Sequence, residues 1–380
     1  MSRVPSPPED PSPVPSIARL RRCLVVLAVV ALAACSGSGS SSPLASAAAS
    51  PSAASGGASD IASGTPPASA STAASPSGPA TKLTVGLGYI PSVQFAQFYL
   101  ADKAGDYRDA GLDVTLQNKI DPDLITLVGQ GAIDVGNGDG TSVIPAVSQG
   151  IPVVYTATIY GAFPSVVIAK ADSGISKAAD LKGKKIGIPG KYGSSWVMLQ
   201  ALLKSGGLTT SDVTIVEYPD FGQATALQQG AVDAATGFTN NEPVTLERAG
   251  VKVNVLTIDQ ATPLPGPGLV TSRATLQAKH DALAAFTAAT LRAMDEITAN
   301  PQVGLDATFA AVPELAQDRD LQAAILDATI ATWKNPRTNA AYGTIDRDAW
   351  QQSIDFMGTI GLVPNPVTVD QLVDDSLLPK

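Results

Sequence analysis

One short pattern occurs twice in this chain, first as Gly131-Ala132-Ile133-Asp134-Val135-Gly136 and again as Gly230-Ala231-Val232-Asp233-Ala234-Ala235. In each copy a glycine ends a helical segment and a short apolar strand follows. Glycine is favoured after a helix because it adopts left-handed backbone without steric cost. Joints of this kind are common in α/β proteins, so the repeat needs support from the segments around it. With that support it predicts two related lobes.

The segments around both copies alternate short apolar strands with helices of about ten residues, a pattern that predicts parallel βα units. In the first half, strands are predicted at 83–87, 112–116, 133–136 and 153–158. In the second half, they are predicted at 185–188, 213–217, 231–235 and 251–256. Beyond residue 270 the chain is mostly helical, with apolar residues at helical spacing in 276–298, 321–333 and 346–361.

Two extended stretches are predicted to carry the chain between the lobes. One is the apolar run 166–170, and the other is the proline-rich segment 263–268 with the strand 269–272 after it. Proline blocks helix and favours extended backbone. Two crossings make the first lobe discontinuous, with lobe 1 formed by 81–168 plus 270–380 and lobe 2 by 169–269. The predicted fold is therefore α/β, with two parallel or mixed βα lobes joined by a two-strand hinge, as in hinge-closing binding proteins.

The first 35 residues have the features of a bacterial lipoprotein signal. A basic segment at 19–22 precedes an apolar run at 24–34, which is shorter than the roughly 20 residues of a membrane-spanning helix. The stretch Leu32-Ala33-Ala34-Cys35 resembles a lipobox, in which the signal is cleaved before the cysteine and Cys35 is lipidated. A plain secretory signal with an accidental cysteine is the alternative.

Composition restricts the remaining function classes. Residues 36–80 are mainly Ser, Ala, Gly and Pro, which predicts a disordered, flexible tether. The formal net charge of −9 and the pI near 4.6 argue against a nucleic-acid partner. Of the two cysteines, Cys23 lies in the signal and Cys35 would be lipidated. The folded part is thus predicted to have no disulfide, no thiol nucleophile and no thiolate metal site. The sequence has no P-loop, HExxH or EF-hand pattern, and neither a metal nor a cofactor is expected.

Ligands of open parallel sheets lie outside the carboxyl ends of the strands, which selects three loops in lobe 1. These loops are 88–95, 137–140 and 159–163. They contain aromatic rings, amides and one carboxylate, which suit a small polar aromatic ligand. The predicted ligand-binding residues of lobe 1 are Tyr89, Gln94, Phe95, Asn137, Asp139 and Tyr160.

The same rule selects two loops in lobe 2, at 189–196 and 236–243. The first runs into a helix N-terminus, whose free N–H groups favour an electron-rich ligand group. The second carries two amides, a carboxylate and an aromatic ring within five residues. The alternatives are a serine N-cap with Trp196 in the core, and an Asn-rich helix cap with Glu242 in the first turn. The predicted ligand-binding residues of lobe 2 are Tyr192, Gly193, Ser194, Ser195, Trp196, Phe238, Asn240, Asn241 and Glu242.

Three stretches resemble a known family. They are GYIPSVQFAQFY at 88–99, DLKGKKIGIPG at 180–190 and GFTNNEPV at 237–244. From about Leu83 to the C-terminus the chain is similar to periplasmic-type binding proteins related to the fungal thiamine-pyrimidine synthases. The DLKGKK stretch is widespread in bilobed type II binding proteins, whereas the other two stretches are more specific.

The resemblance implies a bilobed fold of type II that closes on a small heteroaromatic or sulfonate-like ligand. It implies stacking roles for Tyr89, Tyr192 and Trp196, and polar contacts from Asn241 and Glu242. In the most similar branch the ligand resembles a thiamine pyrimidine precursor, while sister branches bind riboflavin, taurine, alkanesulfonates or nitrate. The ligand loops contain a single basic residue, Lys191, so an uncharged heteroaromatic ligand is favoured over an anion.

The expected function is that of an extracytoplasmic, lipid-anchored solute-binding protein, monomeric, that serves the permease and ATPase subunits of an ABC importer. An enzyme like the fungal pyrimidine synthases is the first alternative. In that family the chemistry depends on a donor histidine and a cysteine-rich motif. This chain has one histidine, His280, far in sequence from the ligand loops. A surface adhesin or sensor domain that needs no importer is the second alternative.

Overall fold

The computed structural model describes residues 79–120, 122–258, 263–338 and 340–380. The predicted signal with Cys35, and the predicted tether up to residue 78, lie outside the described residues. Within the described residues the chain forms two five-stranded mixed sheets with helices on both faces. None of the described helices is long and apolar enough to cross a bilayer.

The first sheet is built mainly from the N-terminal half. Its elements are β1 (Thr81–Gly86), α1 (Ala96–Ala104), α2 (Asp106–Asp109), β2 (Leu112–Gln117), α3 (Leu124–Gly129), β3 (Val135–Gly138), α4 (Gly140–Ser148) and β4 (Val153–Thr158). A 3-10 turn, Val93–Phe95, leads directly into α1. β1 pairs in parallel with β2 and with β3.

The second sheet follows in the chain. Its elements are β5 (Ser165–Lys170), β6 (Lys185–Ile188), α5 (Gly193–Ser205), β7 (Thr214–Glu217), α6 (Gln223–Gln229), β8 (Ala234–Phe238), α7 (Glu242–Arg248) and β9 (Val253–Leu256). The strand order is β7-β6-β8-β5-β9. β6 pairs in parallel with β7 and β8, while β5 runs antiparallel to β8 and β9.

The chain then returns to the first sheet. The returning elements are β10 (Gly268–Ser272), α8 (Arg273–Ala278), α9 (His280–Ala299), α10 (Pro301–Ala311), α11 (Arg319–Trp333), α12 (Arg347–Thr359) and α13 (Val369–Leu372). β10 lies between β3 and β4 and runs antiparallel to both, which completes the order β2-β1-β3-β10-β4. We use lobe 1 for the elements around this sheet and lobe 2 for those around the other.

The repeated sequence pattern performs the same structural task in both lobes. The glycine of each copy is left-handed, with φ of 75° and 76°. The aspartate of each copy then accepts a hydrogen bond from the neighbouring parallel strand: Asp134 from the Thr84 amide at 2.9 Å and Asp233 from the Lys185 amide at 2.8 Å. The repeat therefore sets the joint at which the central strand of each sheet meets its parallel neighbour.

The predicted crossing at 166–170 requires a correction. This run is β5, which pairs with β8 and β9 and lies wholly in the second sheet. The chain instead crosses at 159–164, between β4 and β5, so the boundary of lobe 1 precedes residue 168. The first five residues of β5 are buried, and a strand buried on both faces has the same continuous apolar sequence as an extended linker. The sequence alone does not distinguish the two.

The lobes contact one another on two sides of the hinge. On one side α7 packs against α11, and Val244 of α7 lies against the lobe 1 core. On the other side α5 packs against α4, and Val197 of α5 is buried within the lobe 1 core. Lys204 of α5 also donates a hydrogen bond to Thr359 of α12 at 2.7 Å. These contacts place α5 and α7, the helices that follow β6 and β8, against lobe 1.

Candidate functional site

Tyr89 lies in the loop after β1 and reaches lobe 2. Its ring meets the ring of Phe221 edge-to-face, with centroids 4.9 Å apart and an interplanar angle of 80°. Phe221 lies in the loop between β7 and α6, so the pair joins a strand end of lobe 1 to a strand end of lobe 2. Aromatic pairs prefer this geometry because the positive edge of one ring meets the negative face of the other.

Tyr89 also lies close to two predicted polar residues of lobe 2. Burial raises the pKa of its hydroxyl, the negative charge of Glu242 raises it further, and a hydrogen bond with the Asn241 side chain opposes both effects. The hydrogen bond places Asn241 beside the Tyr89 hydroxyl, and the charge effect places the Glu242 carboxylate within electrostatic range of it. The structure thus brings together Tyr89, Asn241 and Glu242, which the sequence predicted from separate loops.

Glu242 begins α7 and folds back onto the end of β8. Its Oε2 accepts a hydrogen bond from the Phe238 amide at 2.7 Å. A Cβ atom at Gly237 would lie 2.9 Å from this Oε2, so only glycine leaves room for the carboxylate. Burial raises the pKa of Glu242. The loop from Gly237 to Glu242 is therefore compact and holds its carboxylate next to Tyr89.

Asn240 is fully buried where three elements meet. Its Nδ2 donates to Thr329 Oγ1 of α11 at 2.9 Å and to the Tyr160 hydroxyl at 3.4 Å. Thr329 Oγ1 donates its own hydrogen to the Ile325 carbonyl at 2.7 Å, so toward Asn240 it can only accept. This fixes the orientation of the amide, and Asn240 Oδ1 has no hydrogen-bond partner within the described part of the chain.

The structure thus groups six side chains from both lobes and the hinge. We call this group the interlobe site; it consists of Tyr89, Tyr160, Phe221, Asn240, Asn241 and Glu242. Its chemistry combines three aromatic rings, two amides and one carboxylate. It carries no cationic member, so it is suited to a flat, uncharged, hydrogen-bonding ligand.

Two predicted residues of the loop after β3 have different surroundings. Asp139 is the N-cap of α4, and its Oδ1 accepts from the Ser142 amide at 3.0 Å and from the Thr141 hydroxyl at 2.6 Å. Burial raises the pKa of Asp139. Asn137 is a half-buried residue of β3 whose Oδ1 is buried without a partner among the described residues. Asp139 therefore has a capping role already, whereas Asn137 retains an unused acceptor.

The two aromatic residues predicted to stack on the ligand in the loop after β6 lie outside the interlobe site. Tyr192 occupies the N-cap position of α5 and is 40% exposed, and Trp196 packs against the lobe 2 core. Gly193, Ser194 and Ser195 form the first turn of α5, and Tyr192 provides no side-chain cap for that turn. The serines are therefore not N-caps. Trp196 is half-buried and contacts the lobe 2 core with part of its side chain, so its stacking role stays a prediction.

Gln94 and Phe95 belong to the 3-10 turn that leads into α1. Phe95 is 3% exposed and lies in the lobe 1 core, so the structure corrects the expectation that its ring faces a ligand. Gln94 is also buried, and its backbone amide donates to Ser92 Oγ at 3.4 Å. The physical reason is that the turn continues directly into a helix whose apolar face packs inward.

Phe221 is the one member of the interlobe site that the sequence reasoning missed. Its φ of 61° is left-handed, and among the described residues no other non-glycine residue has a positive φ. Strain of this kind persists only where the surroundings enforce it, and it concentrates at functional sites. The signal was available, because an aromatic residue followed by Gly222 comes shortly after the carboxyl end of β7.

A cavity of about 170 Å³ lies at the hinge. The crossing segments and the loop between α11 and α12 line it, including Tyr160, Phe163, Ser165, Arg337 and Asp346. Arg337 Nε lies 3.5 Å from Asp346 Oδ2 across its wall. The cavity shares Tyr160 with the interlobe site and includes residues 160–163 of the ligand loop after β4, but none of the other predicted ligand loops lines it. The described residues contain no cluster of three or more His, Cys, Asp or Glu that could hold a metal ion.

Comparisons with known proteins give a consistent family. A profile of the family described as "NMT1/THI5 like" matches residues 92–303. The riboflavin-binding protein RibY of Chloroflexus aurantiacus is 34% identical over 324 residues, which cover 83% of this chain and 92% of that protein. The formylaminopyrimidine-binding protein of Halalkalibacterium halodurans is 24% identical and covers 75% of this chain and 87% of its own length.

Enzymes also appear among the relatives, at lower identity than RibY. The 4-amino-5-hydroxymethyl-2-methylpyrimidine phosphate synthase of Aspergillus parasiticus is 29% identical over 59% of this chain and 69% of its own length. The synthase of the same name from Legionella pneumophila is 23% identical over 79% of this chain and 93% of its own length. RibY exceeds both synthases in identity and in the share of this chain that it matches. These comparisons support a binding-protein role.

Solved structures identify the fold. The alkanesulfonate-binding protein SsuA of Xanthomonas axonopodis pv. citri, bound to MOPS, superposes with a TM-score of 0.62. The match covers 80% of this chain and 100% of that one at 21% identity. At this identity the likeness shows the fold alone, which is the bilobed type II fold of periplasmic binding proteins.

Proposed function

Because the chain belongs to the NMT1/THI5-like family, we propose that it is a solute-binding protein that captures a flat heteroaromatic molecule between its lobes. Riboflavin is the first candidate, since RibY is named as a riboflavin-binding protein and matches 83% of the chain. A thiamine pyrimidine precursor is the second candidate, from the formylaminopyrimidine-binding relative. The captured molecule would be delivered to the permease and ATPase subunits of an ABC importer.

The observation that carries this proposal is the meeting of Tyr89 with Phe221, Asn241 and Glu242 across the lobes. A ligand between these loops would gain stacking surface from both lobes and hydrogen bonds from their polar side chains. Its binding free energy would then favour the closed arrangement over the open one. The closed arrangement is the state that would dock on the importer.

Charge favours a neutral ligand over a sulfonate or nitrate. Glu242 lies within the interlobe site, and Asp139 is the buried N-cap of α4 in another of the predicted ligand loops. Lys191, the one basic residue of the ligand loops, lies 3.8 Å from Glu217 with more than half of its side chain exposed. An anion in this site would face carboxylates without a buried cationic partner, which is costly.

The anchor and the location are parts of the same proposal. Lipidation of Cys35 would hold the protein on the outer face of the bacterial cell membrane. Residues 36–80 would let the folded part move between solvent and the importer, which raises its effective concentration there. We also propose that the protein catalyses no reaction. Its single histidine, His280, begins α9 on the exposed surface of lobe 1, where its Nε2 lies 3.3 Å from Ser376 Oγ, and it is not part of the interlobe site.

A direct titration of the purified protein tests the ligand proposal. We expect riboflavin or the formylaminopyrimidine to raise the unfolding midpoint and to give saturable heat in calorimetry, because ligand binding stabilises the folded state. Taurine, an alkanesulfonate and nitrate serve as anionic comparisons. Tight binding of an anion with no response to either heteroaromatic compound would refute the proposal, and conversion of the ligand to product would refute the non-enzymatic part.

A variant of Tyr89 tests the site itself. Tyr89→Ala removes the lobe 1 ring, and we expect it to weaken binding of the heteroaromatic ligand by about tenfold or more, since stacking contributes about 1 kcal/mol and burial adds to it. Tyr342→Ala is the matched control: Tyr342 is a half-buried lobe 1 tyrosine whose hydroxyl bonds Thr298 at 2.9 Å. Equal affinities of the two variants would remove Tyr89 from the site.

A further inference from the structure

Six buried side-chain atoms lack hydrogen-bond partners within the described residues, and their positions are not random. Ser165 Oγ and Trp333 Nε1 lie at the hinge. The other four are all amide oxygens, which can accept but not donate; they are those of Gln97, Asn137, Gln223 and Asn240. Buried polar groups of folded proteins nearly always have hydrogen-bond partners. Four buried amide oxygens without partners are therefore expected to share one cause.

The four amides share a location at the carboxyl edges of the two sheets. Asn137 is in the second half of β3, and Asn240 follows the end of β8 by two residues. Gln223 is the first residue of α6, which follows β7, and Gln97 is the second residue of α1, which follows β1. These are the ends of parallel strands at which ligands of such sheets bind.

Hydrogen bonds determine which end of two of these amides is unpaired. Gln223 Nε2 donates to the Thr236 carbonyl at 3.1 Å, and a carbonyl can only accept. Asn240 Nδ2 donates to Thr329, whose own hydrogen is used on Ile325. In both residues the nitrogen is therefore committed to protein, and the oxygen is the atom left over.

We propose that the ligand is a hydrogen-bond donor at both of its ends, with donors that reach Asn137 in lobe 1 and Asn240 in lobe 2. This inference rests on the proposed function and narrows it. The two amide oxygens belong to the central strand regions of opposite lobes, so a single ligand that satisfies both would bridge the lobes. A ligand that offers only acceptors or a full negative charge would leave both oxygens unpaired and would be rejected.

Riboflavin and two analogues test the inference by binding to the full chain. 3-Methylriboflavin lacks the ring N–H donor, and lumiflavin lacks the hydroxyl donors of the side chain. We expect each analogue to bind about tenfold or more weaker than riboflavin, since an unpaired buried acceptor is costly. Riboflavin fluorescence gives the dissociation constants.

Two variants separate lost hydrogen bonds from steric effects of the analogues. Asn137→Leu and Asn240→Leu each remove one acceptor. In each variant we expect one of the two analogues to lose several-fold less affinity, relative to riboflavin, than it loses in the parent protein, as in a double-mutant cycle. Asn254→Leu is the matched control, because Asn254 Nδ2 bonds the Ile175 carbonyl at 2.8 Å in β9, away from the strand ends. It should leave the affinity losses of both analogues unchanged.

The outcomes distinguish the inference from the proposed function. If riboflavin binds and the analogues bind equally well, or if neither variant changes the affinity loss of an analogue, the inference is wrong while the function stands. If riboflavin does not bind, the affinities of the formylaminopyrimidine and its N-methylated form are compared in the parent protein and in the same variants. Equal affinities of these two compounds would then contradict the inference. If neither parent compound binds, the proposed function fails and the inference fails with it.

Discussion

Phe221 shows how a single residue can combine strain with a contact between lobes. Its backbone is left-handed at φ 61°, and its ring is held against Tyr89 of the other lobe. For a residue with a Cβ this conformation costs about 1–2 kcal/mol. A glycine would avoid that cost, so the ring must provide a compensating interaction in the folded or ligand-bound protein.

We therefore predict an unusual order of stability for two variants of this residue. Phe221→Gly and Phe221→Ala both remove the ring, but only the glycine variant relieves the strain. We expect Phe221→Gly to be the more stable of the two by about 1 kcal/mol in urea denaturation, and both to lose about tenfold in ligand affinity. An alanine variant at least as stable as the glycine variant would mean that the strain is absent in solution.

Glu242 gives the site a dependence on pH whose sign follows from burial. Burial raises its pKa in the folded protein above the value of about 4.3 for an unfolded chain. Between those two values the folded protein binds more protons than the unfolded one. The free energy of unfolding therefore falls as the pH rises through this window.

We predict that Glu242→Gln abolishes this part of the pH dependence. The glutamine oxygen can still accept from the Phe238 amide, and no charge has to be buried. The variant should be more stable than the parent at pH 7, and the difference should vanish below pH 4. Denaturation of both proteins between pH 3.5 and 8 measures the difference in their free energies of unfolding. Asp139 contributes equally to both proteins and cancels in this difference. If the two pH profiles ran parallel, Glu242 would not be the source of the pH dependence.

At the scale of elements, the pairing of α7 with α11 carries a buried polar contact between the lobes. Thr329 of α11 donates to Ile325 within its own helix and accepts from Asn240 of lobe 2. Thr308 of α10 is equally buried and donates to Gly304 at 2.9 Å within its helix. The two threonines differ chiefly in the contact with Asn240.

This pair of threonines gives a matched test. Thr329→Val leaves the Asn240 amide with an unpaired donor, and we expect it to lower the free energy of unfolding by about 1–3 kcal/mol. Thr308→Val removes only a hydrogen bond within a helix and should cost less than about 1 kcal/mol. Guanidinium denaturation of both variants decides the matter, and equal losses would show that the contact between lobes contributes nothing.

For the whole molecule, capture and anchoring are predicted to be separable. In the host bacterium, Cys35→Ser should move the protein from the membrane fraction to the soluble extracytoplasmic fraction, because the lipid chain supplies the membrane affinity. Ligand affinity of the released protein should match that of the parent within twofold. Retention of the variant in the membrane fraction would mean that another segment provides the anchor.

The alternation of strands and helices and the presence of two related lobes could be predicted from the amino-acid sequence. β4 and β6 have the bounds that their apolar runs and flanking glycines predict, because these signals are local. The repeated Gly-Ala-apolar-Asp motif also acts in both lobes as its recurrence indicates. The predicted βα order places the loops that follow the strands at one edge of each sheet. This rule identified Tyr89, Asn241 and Glu242 as ligand-binding candidates.

Tertiary structure decided what depends on neighbours distant in the chain. The sequence predicts one helix over 276–298, but it divides at Lys279, whose ammonium group bonds Asp134 Oδ1 at 2.8 Å and the Lys82 carbonyl at 2.9 Å. The membership of β5 in lobe 2 depends on β8 and β9, and the inward burial of Phe95 depends on the lobe 1 core. Local periodicity records how much apolar surface a segment has, whereas only packing determines which partner covers it.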